Sequence, residues 1–136
     1  MLDTLYKIET LLIEAGELFE GLDDSEQIRL NQFHNECYSL AHCLRWGQAA
    51  ATEVLADTET AVRQGLTAKV GLNQIYFDKL DDLFVVEKFE FYDGYKDTGK
   101  PMYSVLDGFA TLKEAYEAAL NPREYERSRL NAKGNS

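Results

Sequence analysis

Apolar positions along the first third of the chain follow a helical rhythm. Leu5, Ile8, Leu12, Ala15, Phe19 and Leu22 recur at steps of three and four residues, so one face of a helix carries all six. Gly21-Leu22-Asp23-Asp24 breaks the rhythm, and Asp24 with Gln27 three residues on has the spacing of a capping box. A second stripe follows through Leu30, Phe33, Cys37, Leu40, Leu44, Gly47, Ala51, Val54 and Thr58, and it runs on to Ala61 or Val62. Gly65 is placed to end it. The two stripes predict an antiparallel helical hairpin, 2–22 against about 25–64. The second arm is a helix of about 40 residues with a bend near Gly47.

The pattern then changes. Val70, Leu72, Ile75, Tyr76, Leu80 and Leu83 fit a third, shorter helix, read from Asn73 to Asp82, although Gly71 and Asn73 argue for an interruption. Phe84 to Tyr92 is rich in aromatic and β-branched residues and reads as a strand, with Met102 to Leu106 as its return. Asp97-Thr98-Gly99 suits the turn between them, and Asp93-Gly94 competes for it. Pro101 lacks a donor and marks a strand start or an edge. Thr111 and Glu114 open a helix through Leu120, which Asn121-Pro122 is expected to stop. The expected fold class is α+β and mostly helical: a long antiparallel helical hairpin, then a β-hairpin and a C-terminal helix. Residues 1–66 form the helical hairpin. Residues 67–130 form the short helix, β-hairpin and C-terminal helix packed on it as one compact domain, and 131–136 form a flexible tail.

Charge sharpens this picture. The 136 residues carry 24 acids and 14 bases, a net charge of −10. A chain this acidic is a poor direct binder of nucleic acid or of anionic membrane. Residues 1–31 hold eight acids against two bases, and acid collects again between Asp78 and Asp97. No apolar run approaches a membrane span, no basic leader precedes an apolar stretch, and two cysteines make no disulfide framework. The expected location is the cytoplasm, that of the host if the chain is phage-encoded.

Candidate chemistry is sparse. His34, Cys37, His42 and Cys43 fall within ten residues, but about 100° of rotation per residue on one helix sends them to different sides. A tetrahedral site needs four converging ligands, so no metal and no cofactor are expected. No nucleophile motif or phosphate-cradling glycine loop is present, and no catalytic residue is assigned. Glu14, Glu17 and Glu20, with Glu53 and Asp57, resemble the glutamate-rich helices by which helical nucleotide pyrophosphatases hold magnesium. That pattern requires Glu-x-x-Asp, and here one more residue intervenes.

In size, charge and lack of a catalytic motif the chain resembles the small acidic inhibitors that phages and mobile elements direct against restriction and CRISPR nucleases. The expected function is therefore that of a non-enzymatic, acidic protein-binding module. It would occupy the basic, nucleic-acid-binding surface of a partner protein, an anti-defence or anti-CRISPR type of inhibitor acting as a nucleic-acid mimic. The alternative is a metal-dependent nucleotide pyrophosphatase-like enzyme. The expected contacts are Glu14, Glu17, Glu20, Asp23 and Asp24 at the hairpin tip, and a second set of Asp78, Asp81, Asp82, Glu87, Glu90, Asp93 and Asp97 on and before the β-hairpin, with Tyr92 and Tyr95 as anchors. The longer second helix leaves Ala51, Val54, Leu55 and Val62 beyond reach of the first, which predicts a homodimer unless the C-terminal half covers them.

Overall fold

The computed structural model describes residues 2–32, 39–94 and 99–134, with residues 133 and 134 described by backbone alone. The fold is α+β and mostly helical, with a four-stranded antiparallel sheet. Two compact units divide the chain between Thr58 and Glu59.

The first unit is helical. Helix α1 spans Leu2–Glu20, α2 spans Asp24–Asn31, and α3 spans Leu40–Arg63. The sequence predicts one continuous second arm. Instead α2 and α3 are separate helices, and residues 33–38 between them, with His34 and Cys37, lie outside the described residues. Gly47 sits inside α3 and serves close approach: a Cβ there would come within 3.2 Å of Leu12 Cδ2. Gln48 Nε2 donates to the Leu12 carbonyl at 3.0 Å, while Phe19 and Gly16 share a cleft with Ala41 and Leu44. Residues rising along α1 thus meet residues falling along α3, as the antiparallel pairing requires. Helix α2 is capped by Asp23, not Asp24: the Asp23 carboxylate accepts from Glu26 N at 2.8 Å. Gln27 turns away from any capping box. Its amide donates to the carbonyls of Phe19, Glu20 and Leu22, satisfying the open end of α1.

In the second unit α3 ends in a Schellman turn, with Leu66 N donating to Ala61 O and Gly65 N to Val62 O. Gly65 holds φ +117°, as expected of a residue placed to end the helix. Strands β1 (Ala68–Val70), β2 (Asn73–Asp78), β3 (Leu83–Asp93) and β4 (Lys100–Phe109) follow in simple meander order. The helix expected over Asn73–Asp82 is therefore a strand and a turn. Gly71 and Leu72 make a two-residue hairpin between Val70 and its partner Asn73, with Gly71 at φ +61°. Pro101 lies opposite Tyr92 in β4, an edge strand of the sheet, as expected of a residue that lacks a donor.

Helix α4 (Leu112–Leu120) lies on one sheet face. Ala68, Val70, Ile75, Phe84 and Val86 are buried from the sheet side, and Leu112, Ala115, Tyr116 and Ala119 from the helix side. Thr111 caps α4 through Glu114 N, as the sequence predicts. Asn121-Pro122 does not end the helical region. Asn121 accepts from Glu124 N at 3.3 Å and caps a further helix, α5 (Pro122–Gly134), with Pro122 in its first turn. The expected tail is therefore helical as far as Gly134. Asn73 ties the unit together: its amide donates to Ala119 O at 2.8 Å, and its carbonyl oxygen accepts from Phe89 N at 2.9 Å.

Leu55 and Val62 are buried within the single chain, while Val54 is exposed.

Candidate interaction surface

The expected contact residues fall into two groups with different electrostatics. Glu14, Glu17 and Glu20 lie on the last turns of α1 and are exposed. Asp23 and Asp24 open α2 and are exposed as well. Asp23 spends one oxygen on its cap, which leaves its charge in place. Among the described residues no ion pair neutralises any of these five carboxylates. Lys7, one of two bases in residues 1–31, is itself paired with Asp3 at 3.0 Å. The α1–α2 corner is therefore a concentrated, uncompensated negative surface. Two large apolar side chains on α1, Leu11 and Leu18, stand beside it at 62% and 75% exposure.

The β-hairpin group is largely engaged within the sheet. Glu87 accepts from Gln74 Nε2 at 3.0 Å, and Gln74 accepts in turn from Lys69 Nζ at 2.6 Å. Glu90 occupies a bulge in β3 and accepts from Ser104 Oγ at 2.5 Å. Asp93 sits directly across the ladder from Lys100. Tyr92 is 58% exposed and rests on Phe89, with ring centroids 4.9 Å apart. Phe91 is similarly exposed. Tyr95 and Asp97 lie outside the described residues. The sequence suggests two acidic faces, and the side-chain partners make them unequal.

A third acidic patch surrounds the β2–β3 turn. Asp78 Oδ1 accepts from the backbone of Leu80 and Asp81, and Asp82 lies 3.6 Å from Arg63. These acids shape the turn, and Asp82 takes φ +57° there.

Two tyrosines have altered acidity. Burial raises the Tyr125 phenol above its ordinary 10.0. Its hydrogen bond to Asp107 and that carboxylate's charge raise it further, while Arg129 acts in the opposite direction. Tyr76 is raised by burial first, then by Glu87 and Asp78. The Asp107–Tyr125–Arg129 group ties α5 to β4 and reads as structure, because the phenol donates to Asp107 and Arg129 pairs with the same carboxylate.

A shallow cleft of about 430 Å³ runs along α4 and α5, lined by Glu114, Glu117, Asn121 and Glu124. Two of its carboxylates already accept from the caps Thr111 and Asn121. Among the described residues no three His, Cys, Asp or Glu side chains converge as a metal site would require. His42 lies on α3 with its ring 4.2 Å from that of Trp46, and Cys43 is exposed. Among the described residues no helix is long and apolar enough to cross a membrane. Comparison with family models, curated proteins and solved structures finds no match.

Proposed function

We propose that the protein is a non-enzymatic binding module whose acidic α1–α2 corner occupies the basic, nucleic-acid-binding surface of a protein partner. The observation that carries this reading is the set of five exposed carboxylates, Glu14, Glu17, Glu20, Asp23 and Asp24, without an ion-pair partner among the described residues. Uncompensated charge produces a field that steers association and selects a partner of opposite sign. A surface built to hold phosphates is such a partner, and an acidic inhibitor of a nucleic-acid enzyme would work in this way. The hairpin carboxylates are secondary in this reading, because Glu87 and Glu90 already have acceptor roles in the sheet. Tyr92, resting on Phe89, offers a separate aromatic contact.

The reading is tested by affinity capture followed by titration of the captured complex. Binding should weaken steeply as salt rises from roughly 50 to 500 mM, where the screening length falls below about 5 Å. Single charge reversals should each cost only ~0–1 kcal/mol. Glu14→Lys, Glu17→Lys and Glu20→Lys combined should weaken the complex by up to roughly 100-fold. A complex indifferent to both salt and the triple reversal would refute the acidic reading. Magnesium-dependent turnover of nucleoside triphosphates, lost in Glu53→Gln, would support the hydrolase alternative.

A further inference from the structure

Helix α1 carries apolar side chains on two sides, one packed and one exposed and mixed with charge. One meets α3 through Leu12, Gly16 and Phe19. The other is the line Lys7, Leu11, Glu14 and Leu18, whose steps of four, three and four keep all four residues within about 60° of arc. Leu11 and Leu18 are seven residues apart, about 10 Å along the axis. A lone exposed leucine is ordinary. A pair in heptad register shares its line with Glu14, which takes the alternate seam position between them, while Glu17 flanks the line, so leucine and carboxylate alternate along it.

Resting on the reading above, we propose that this line receives one basic amphipathic α-helix of the protein partner. The partner helix sets aliphatic side chains beside Leu11 and Leu18, and its lysines or arginines face Glu14, Glu17 and Glu20. Charge selects the occupant. The eight acids of residues 1–31 repel nucleic acid and any acidic helix, including a second copy of α1. An extended peptide gains little, because a helix flank offers no unpaired backbone groups to extend. A helix with apolar residues at heptad spacing satisfies both the leucines and the carboxylates.

The probe is a synthetic Lys/Leu peptide of about three heptads with leucines at one seam position per heptad and lysines at the other. Its control has the same composition with the leucines scattered. Anisotropy measures binding of each to the full chain and to a Leu11→Ser/Leu18→Ser variant, whose thermal melt confirms folding. The patterned peptide should bind and become helical on binding. The double variant should bind it about 10- to 100-fold more weakly, the loss expected from two exposed leucines. The scattered peptide should bind the native chain no better than the patterned one binds the variant. Equal binding of both peptides would overturn helix docking and leave the acidic reading intact, since charge alone would then suffice. No binding of either at low salt would overturn both. A native dimer that becomes a 15.5 kDa monomer in the double variant, with no peptide bound, would assign the line to a second copy and overturn the proposal.

Discussion

Asn73 makes one hydrogen bond from each end of its amide, to the end of α4 and to β3. Alanine there would orphan a part-buried carbonyl and a part-buried N–H together. Asn73→Ala should cost about 1–3 kcal/mol, seen as a lower urea midpoint with unchanged slope. Tyr125 gives a second residue-level expectation, with a definite sign. Its folded-state pKa lies above the unfolded 10.0, so the folded state holds the proton longer. The resulting stability is fully present below about pH 10 and is lost as pH rises through the folded value. Urea midpoints taken from pH 8 upward should fall in the alkaline range, and Tyr125→Phe should flatten that fall. Tyr76, raised in the same direction, accounts for part of whatever slope remains.

At the scale of elements, caps decide where helices begin. Thr111→Ala should destabilise the second unit by ~1 kcal/mol, because α4 buries Leu112, Ala115 and Tyr116 and the core depends on it. Asn121→Ala should mainly loosen α5, because α5 has no buried side chain among its described residues. Amide exchange separates the two outcomes: global in the first variant, confined to residues 122–134 in the second. These elements also show which local patterns carried true information. The helical period of α1, the strand from Phe84 to Tyr92, the Gly65 terminator and the Thr111 cap were legible because each is written in adjacent residues, although Ile8 of the α1 stripe is exposed while Leu2 and Tyr6 outside it are buried. Strand β2 was not. Leu72 and Leu80 completed a helical spacing around Ile75, yet both sit in turns, and Leu80 is 96% exposed. Their spacing reflected no shared face. Pro122 misled in another way, since proline both ends helices and starts them, and Asn121 just before it was acting as a cap.

For the whole molecule, a net charge of −10 matters through its placement. The acids of α1 and α2 were visible in the sequence as a candidate surface. That Glu87 and Glu90 are engaged while Glu14, Glu17 and Glu20 are not was hidden, because the partners Gln74 and Ser104 come from neighbouring strands. Strand register, not composition, separates the two groups. The functional claim is that this corner competes with nucleic acid for a partner's basic surface, and it is tested most directly by displacement. A labelled DNA duplex bound to the captured partner is titrated with the protein at low salt, and anisotropy follows the label. The account predicts full release of the DNA at near-stoichiometric protein, and no release by the Glu14→Lys/Glu17→Lys/Glu20→Lys variant. DNA that stays bound while the protein joins it in a ternary complex would contradict the account.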